Sequence, residues 1–257
     1  MITKWKKKDT ARTAQWDQTT MFGGQVSFAV SEAYKLLRTN IMFSFSSESC
    51  CHVVGVMSST RGEGKSTTAA NLAYALTEAG KRTLLLEADL RLPSLAEKLG
   101  LARVPGLTDI LVSGDRHSTL IQHCAAEPKM DIITAGSSTP NPSELLGSAK
   151  MAELMAMLSK AYEFIVVDLP PVTAVSDALA VSKLLDGVVM VVRSQLVTRK
   201  ELAETMRQLK LVDVRLLGFV YRDSAESPEL KYGKRYEKHY GKHYGHSPSR
   251  KRPEEQK

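Results

Sequence analysis

The sequence has few of the features that mark exported or membrane-embedded proteins. It has only three cysteines in 257 residues, and two of them, Cys50 and Cys51, are adjacent, which does not suit a disulfide framework. No apolar run approaches the roughly 20 residues that a membrane-spanning helix needs. The first nine residues include four lysines and no apolar segment typical of a secretory signal. We therefore expect a cytoplasmic protein with reduced thiols.

Charge is distributed unevenly along the chain. The formal net charge is +7, but residues 1–20 contribute +3 and residues 231–257 contribute +6, which leaves the long middle part at −2. Apolar residues make up 43% of the sequence, enough for a core of one large domain or two small ones. The basic ends indicate an anionic partner, such as a lipid surface, a nucleic acid or an acidic protein face, or else a solvated tail that keeps the protein soluble.

The most informative segment is residues 59–67, which read Ser-Thr-Arg-Gly-Glu-Gly-Lys-Ser-Thr. An apolar run at 53–57 precedes it, and a run rich in helix-forming residues follows it. A glycine-rich loop between a strand and a helix is typical of phosphate binding, although Ser59 stands where the usual pattern has its first glycine. We expect the backbone N–H groups and the helix N-terminus to bind phosphates. Lys65 would reach the β- and γ-phosphates, and Ser66 would bind Mg²⁺.

Continuous apolar runs alternate with helical patterns along the chain. This arrangement is typical of an α/β fold in which a twisted parallel sheet is covered by helices on both faces. In such a sheet, ligands bind at the carboxyl ends of the strands. The predicted strands cover 53–57, 82–89, 130–136, 164–168, 187–192 and 216–221, and the predicted helices cover 27–43, 68–80, 140–162 and 200–211, with one more beginning near 106.

Three acidic residues lie at or near the ends of two predicted strands. Asp168 ends an apolar run, which is the position of a magnesium-binding carboxylate in P-loop enzymes. Glu87 and Asp89 are two residues apart, so on one strand their side chains would point the same way. Two adjacent carboxylates are costly unless a cation or a proton lies between them, which favours a role at the metal or at an incoming hydroxyl group. Arg91 could neutralise them or a phosphate.

The alternating pattern stops near residue 224. We therefore predict a flexible basic arm at 1–24, one P-loop domain at 25–223 and a disordered, basic tail at 224–257. The tail contains four tyrosines at a spacing of four residues, namely Tyr232, Tyr236, Tyr240 and Tyr244. The final 27 residues contain no aliphatic side chain that could help to bury these rings. Repeated exposed tyrosines suit stacking on nucleic-acid bases or the acceptance of phosphate, and four phosphates would add about −6 to −8 charges.

With these residues, the chain resembles the bacterial tyrosine kinases (BY-kinases) of capsule and exopolysaccharide synthesis, in particular the stand-alone cytoplasmic form of Gram-positive bacteria. The resemblance spans about residues 27–244. It is carried by the Walker A motif at 58–67, the Walker A′ motif at 84–91, the Walker B motif at 165–171, the segments 141–146 and 32–38, and the tyrosine cluster. Walker A alone is unspecific, whereas Walker A′ together with a C-terminal tyrosine cluster is highly specific.

The resemblance implies an ATP- and Mg²⁺-dependent protein-tyrosine kinase that phosphorylates the tail of a neighbouring subunit. It implies nucleotide binding by Arg61, Gly62, Glu63, Gly64, Lys65, Ser66 and Thr67. The implied metal ligands are Ser66, Asp89 and Asp168, the implied catalytic residues are Lys65, Glu87 and Asp89, and the implied phosphate acceptors are the four tail tyrosines.

The resemblance also implies partners. Glu32, Lys35 and Arg38 would join subunits into a ring-shaped homo-oligomer. A transmembrane activator of the polysaccharide co-polymerase type would recruit the kinase to the inner face of the cell membrane and activate it. A protein-tyrosine phosphatase would reset the cycle, and other proteins would serve as substrates, whereas nucleic acid is not expected as a partner of such a kinase.

The chain departs from the family pattern at four places. The family usually has Asp in place of Glu87, Arg in place of Lys35 and proline in place of Arg61. Related ATPases often have an asparagine for the base near the last strand, where this chain has Tyr221 and Arg222.

Two other functions remain open from the sequence. A positioning ATPase shares the fold, but it carries a signature lysine where this chain has Thr60, and the tyrosine tail would be unexplained. A nucleotide-switched nucleic-acid binder would use the basic aromatic tail, and its binding would fall steeply with salt.

Overall fold

The computed structural model describes residues 26–45, 49–113, 120–123, 130–172 and 177–222. The arm predicted at 1–24 and the tail with its four tyrosines lie outside these ranges. The helices are α1 (Phe28–Phe43), α2 (Lys65–Glu78), α3 (Leu95–Leu99), α4 (Leu107–Ser113), α5 (Pro142–Leu146), α6 (Ala149–Ala161), α7 (Asp177–Val181) and α8 (Arg199–Leu211). The strands are β1 (His52–Ser58), β2 (Thr83–Glu87), β3 (Gln122–His123), β4 (Asp131–Ile133), β5 (Phe164–Asp168), β6 (Gly187–Arg193) and β7 (Leu216–Arg222). None of the described helices is long and apolar enough to cross a membrane.

The seven described strands form one sheet in the order β3-β4-β2-β5-β1-β6-β7. All neighbours pair in parallel except β3 and β4, which pair in antiparallel orientation. The α/β prediction is therefore confirmed, and the sheet is mostly rather than wholly parallel. The edge strand β3 has only two residues, too few to produce a periodic signal in the sequence.

The core lies on both faces of the sheet, as predicted. On β1, Val54 and Val56 pack on one face with residues of α1, α2 and α3. Val53 and Met57 point to the other face and pack with residues of α4 to α8. Since a fully buried side chain of this kind contributes about 1.5–3 kcal/mol, packing on both faces fixes β1 between β5 and β6 inside the sheet. The loop that follows β1 is therefore attached to a buried interior strand.

Three of the predicted elements differ from the structure, and one of them is the strand predicted at 130–136, which covers only Asp131–Ile133. The helix predicted at 140–162 is wrong, because Gly147 and Ser148 separate α5 from α6. Ser148 accepts a hydrogen bond from the backbone N–H of Met151 (3.2 Å) and caps α6. The strand predicted at 82–89 ends earlier, at Glu87. The short helices α3 and α7 were not predicted, since five residues are too few for a helical period to be recognised.

Candidate active site

The carboxyl ends of neighbouring parallel strands meet at one edge of the sheet. β1 leads into the loop 59–64, β5 ends at Asp168, β6 ends at Arg193 and β7 ends at Arg222. Asp89 follows the end of β2 by two residues. The sheet thus brings the predicted phosphate loop, the predicted metal-binding acids and two additional arginines to the same edge, where α/β folds bind ligands.

The helix that follows the loop offers an anion site at its N-terminus. α2 begins at Lys65, preceded by Gly64 at φ +94°, a backbone conformation that favours glycine. In this part of the described chain, neither a side-chain cap nor an acidic first-turn residue satisfies the first N–H groups of α2. These groups and the positive end of the helix dipole are therefore available to a phosphate.

A buried glutamate holds the loop in shape. Oε1 of Glu63 accepts a hydrogen bond from the backbone N–H of Thr60 (2.6 Å), and Oε2 accepts one from the backbone N–H of Arg193 (3.2 Å). The Arg193 guanidinium donates to the carbonyl oxygen of Gly62 (3.2 Å). The Glu63 side chain therefore supports the loop from inside, so that only its backbone N–H remains as a predicted nucleotide contact.

Lys65 lies between two buried carboxylates. Its Nζ is 2.7 Å from Oδ2 of Asp89 and 3.5 Å from Oδ1 of Asp168. Burial alone would lower the pKa of Lys65, but the charges and hydrogen bonds of Asp168 and Asp89 raise it above its usual value. Burial raises the pKa of Asp168, and Lys65 opposes that rise. Here the cation expected between two carboxylates lies between Asp89 and Asp168, and not between Glu87 and Asp89.

The oxygen atoms of this cluster fit a magnesium ion. Among the described residues, Oδ2 of Asp168 is buried and has no hydrogen-bond partner. The Ser66 hydroxyl forms a side-chain hydrogen bond with Asp168, which places a second oxygen ligand at the same point. The described residues contain no group of three acidic, histidine or cysteine side chains that could hold a metal alone. That suits Mg²⁺, which is usually bound by one or two carboxylates together with phosphate oxygens and water.

Glu87 does not lie beside Asp89 as expected. Because β2 ends at Glu87, the two carboxylates diverge. Oε1 of Glu87 accepts hydrogen bonds from the backbone N–H groups of Ser94 (2.6 Å) and Leu95 (2.7 Å), and Oε2 accepts one from Ala135 (3.1 Å). Burial raises the pKa of this carboxyl group, and the three backbone hydrogen bonds partly oppose the rise. Glu87 thus connects the loop after β2 to the end of β4, and its catalytic role stays a prediction.

Arg91 also has a partner other than the one expected. Its guanidinium contacts the Asp177 carboxylate through two hydrogen bonds, 2.6 Å and 3.0 Å long. Ser143 donates a further hydrogen bond to Asp177. Burial alone would raise the pKa of Asp177, but these donors lower it below its usual range. Arg91 therefore holds the loop after β2 against α7, and its charge also interacts with that of Asp89.

The three residues predicted to join subunits lie on α1. Glu32 and Lys35 form an exposed ion pair with each other (2.9 Å). Arg38 donates to the carbonyl oxygen of Ala75 (3.0 Å) and lies 3.9 Å from Glu78, so it holds α1 against α2 within one chain. Their role between subunits stays a prediction.

Two basic residues near the loop were not assigned to the site from the sequence. Lys98, on α3, donates a hydrogen bond to Oγ of Ser94 (2.7 Å) and interacts electrostatically with Asp168. Arg222, at the end of β7, lies against Gly64. No motif marks either residue, because each reaches the loop from an element distant in sequence.

Comparison with known proteins identifies the family. Residues 49–226 match the ParA family model, described as NUBPL iron-transfer P-loop NTPase. The tyrosine-protein kinase YwqD of Bacillus subtilis (strain 168) is 36% identical over 203 residues, which are 79% of this chain and 85% of YwqD. The chain belongs to the bacterial tyrosine kinases.

Solved structures of bacterial tyrosine kinases have the same fold. The chimerical protein CapA2B2 superimposes with a TM-score of 0.71 and 33% identity, covering 77% of this chain and 86% of that one. The kinase domain of the Escherichia coli tyrosine kinase ETK superimposes with a TM-score of 0.72 and 29% identity, covering 77% and 78%. These matches favour the tyrosine-kinase interpretation over the positioning ATPase and the nucleic-acid binder. The P-loop NTPase fold also supports nucleotide and magnesium binding in general.

Proposed function

We propose that the chain is an ATP-dependent protein-tyrosine kinase that phosphorylates its own C-terminal tyrosine cluster in trans and regulates capsular or exopolysaccharide synthesis. The observation that carries the proposal is the position of Lys65 between the Asp89 and Asp168 carboxylates, at the uncapped N-terminus of α2. This arrangement combines phosphate-binding N–H groups, a buried positive charge and oxygen ligands for a metal at one point.

The phosphates of ATP bind to the backbone N–H groups of residues 61–67. Lys65 neutralises the negative charge that develops between the β- and γ-phosphates. In phosphoryl transfer the transition state is loose, so that most of the catalysis comes from positioning and from charges already in place. The bracing of the loop by Glu63 and Arg193 supports this role, because a fixed loop needs no reorganisation during the reaction.

Ser66 and Asp168 would hold Mg²⁺, with Asp89 beside them. When bound, the ion would neutralise part of the negative charge of the phosphates. The partnerless oxygen of Asp168 supports this assignment, since a buried carboxylate oxygen without a donor is costly unless a ligand satisfies it.

The acceptor is the phenol of a tail tyrosine from a neighbouring subunit. Its oxygen forms a bond to the γ-phosphorus while the bond from that phosphorus to the β–γ bridging oxygen breaks, which releases ADP. The phenol proton passes to a carboxylate. Asp89 suits this step better than Glu87, because Asp89 contacts Lys65 at the phosphate loop (2.7 Å), whereas Glu87 is held by the backbone N–H groups of Ser94, Leu95 and Ala135.

The proposed acceptors are Tyr232, Tyr236, Tyr240 and Tyr244. Their phosphorylation would reverse the charge of the basic tail and release the subunits of a ring joined through Glu32, Lys35 and Arg38. A membrane-bound activator of the polysaccharide co-polymerase type would bring the kinase to the inner face of the membrane, and a tyrosine phosphatase would return it to its starting state. The name of the relative YwqD, a tyrosine-protein kinase, supports the reaction class.

The test is phosphate mapping by mass spectrometry after incubation of the full-length protein with Mg·ATP, with and without an activator fragment. We expect phosphotyrosine at residues 232–244 in the unaltered protein and none in Lys65→Met. Mixing Lys65→Met with an active variant that lacks the four tyrosines should restore phosphate on the Lys65→Met chain if transfer is in trans. Absence of phosphotyrosine from the unaltered protein under both conditions would reject the kinase function.

A further inference from the structure

The Arg222 guanidinium lies directly on the phosphate loop. A side-chain carbon added at Gly64 would come within 1.5 Å of Nη1 of Arg222 and 2.7 Å of its Cζ. Gly64 precedes the first residue of α2, so the guanidinium reaches the place where the phosphate-binding N–H groups begin. Its main chain is fixed at the end of β7, where its carbonyl oxygen accepts a hydrogen bond from Ser194 (2.8 Å).

No acidic side chain of the described residues pairs with the guanidinium of Arg222. Within the described ranges, it forms no hydrogen bond and no ion pair, whereas the neighbouring Arg193 donates to the carbonyl oxygen of Gly62. Arg193 is therefore part of the loop's own framework. The donors of Arg222, arranged as a planar fork that matches phosphate oxygens, remain available at the mouth of the loop.

Lys98 lies on α3, and the start of this helix is held at the carboxyl end of β2, because the backbone N–H groups of Ser94 and Leu95 donate to Glu87 (2.6 and 2.7 Å). Its ammonium group interacts electrostatically with Asp168, Lys65, Glu87 and Arg222. Burial is the largest cause that lowers the pKa of Lys98, to about 8, with Lys65 and Arg222 acting in the same direction against Asp168 and Glu87. A positive charge that is destabilised by burial and by two other cations is stabilised when an anion enters between them.

We propose that Arg222 and Lys98 form a cationic clamp that contacts the phosphate groups of the bound nucleotide, Arg222 from the end of β7 and Lys98 from α3. This inference depends on the proposed nucleotide site, and it adds two phosphate contacts that lie outside the loop motif. Lys65 and the N–H groups of α2 bind the phosphates at the base of the loop. Arg222 and Lys98 contact the phosphates from outside the loop, and the planar guanidinium of Arg222 constrains the orientation of the phosphate oxygens.

The experiment is calorimetric titration of the full-length protein with Mg·ATP and, separately, with inorganic tripolyphosphate, which has no base. The variants are Arg222→Gln, Lys98→Gln, the double variant and Arg222→Lys. The control is Arg207→Gln on α8, since Arg207 pairs with Glu204 away from the loop. Thermal unfolding shows whether each variant is folded.

We expect Arg222→Gln to weaken Mg·ATP binding about 10- to 100-fold, the loss typical of a charge-assisted contact, and to weaken tripolyphosphate binding by a similar factor. Arg222→Lys should recover part of the affinity, Lys98→Gln should weaken binding as well, and Arg207→Gln should bind like the unaltered protein. Unchanged Mg·ATP affinity in Arg222→Gln would overturn the clamp. A loss for Mg·ATP without a loss for tripolyphosphate would also overturn it, because Arg222 would then contact the base. Failure of the unaltered protein to bind any nucleotide would instead reject the proposed function.

Discussion

The two ends of the parallel sheet both carry clusters of charged residues, but the clusters differ in how completely they are paired. At the amino-terminal end, a cavity of about 480 Å³ is lined by Thr77, Gly80, Lys81, Arg82, Thr83, Asp131, Ala161 and Tyr162. Lys81 pairs with Glu163 (2.9 Å), and Asp131 accepts hydrogen bonds from Tyr162 (2.7 Å) and contacts His123 (2.8 Å).

At the carboxyl end, the charged groups beside the phosphate loop share partners or lack them, whereas Glu87 and Asp177 are paired. One ammonium group, that of Lys65, serves two carboxylates, and one oxygen of Asp168 has no partner among the described residues. Native structures satisfy nearly all buried polar groups, so such a deficit indicates a place where a ligand completes the pairing. The comparison indicates that incomplete pairing of charged groups, and not their number, distinguishes the carboxyl end of the sheet, where ligand binds, from the amino-terminal end.

The largest effect should follow removal of the shared cation. We expect Lys65→Met to lower the initial rate of tyrosine phosphorylation by at least about 10²- to 10³-fold, the loss typical for a group that stabilises transition-state charge. The rate is measured with labelled ATP. Lys81→Met at the amino-terminal end of the sheet is the matched control. An equal loss of rate in both variants would contradict the assignment of nucleotide binding to the carboxyl end.

The next effect concerns Asp168, one oxygen of which has no hydrogen-bond partner among the described residues. In the unaltered protein, Mg²⁺ should increase the affinity for ATP. We expect this increase to be at least about tenfold smaller in Asp168→Asn, because the metal loses a charged ligand. ATP titrations with and without Mg²⁺ measure the difference. Asp131→Asn should keep the full effect of Mg²⁺. If Asp168→Asn kept it too, the metal would lie elsewhere.

Substitution of Glu87, unlike that of Asp89 or Asp168, should act mainly on the free energy of unfolding. We expect Glu87→Ala to lower the free energy of unfolding by about 3 kcal/mol, since three backbone donors lose a buried acceptor. Denaturant unfolding at neutral pH measures this. Glu87→Gln keeps the shape and two of the acceptor contacts, so it should be less destabilised and should still phosphorylate tyrosine. A folded Glu87→Gln without activity would instead support the catalytic role predicted from the sequence.

Glu87 also shows how far the sequence could lead. The order of strands and helices follows from apolar runs and helical periods, and the loop 59–67 with Asp168 follows from motif spacing, so these were predictable. The direction of Glu87 was not, because it depends on β2 ending at this residue and on backbone donors from two other loops. Lys98 and Arg222 were missed for the same physical reason: only the tertiary fold brings Arg222 to Gly64 and Lys98 within electrostatic reach of Asp168 and Lys65.

A smaller effect should appear in the dependence of stability on pH. The pKa of Lys98 in the folded protein, about 8, lies below its ordinary value of 10.5, mainly because of burial. The unfolded chain therefore binds more protons between these values, and the folded state gains stability as pH rises through the window. Relative to Lys98→Met, the unaltered protein should become more stable from pH 8 to pH 10.5. Parallel curves for the two proteins across that range would show that Lys98 titrates normally and is solvated.

The smallest effect is expected at the paired end of the sheet. Lys81 and Glu163 are both partly exposed, with 34% and 31% of their side-chain surfaces accessible, so solvent screens their attraction. We expect Lys81→Met to change the free energy of unfolding by about 0–1 kcal/mol, the range found for such pairs, and to leave nucleotide affinity unchanged. Thermal unfolding and Mg·ATP titration measure both quantities. A loss of nucleotide affinity in this variant would mean that the two ends of the sheet are coupled, and incomplete pairing would then no longer distinguish the end that binds ligand.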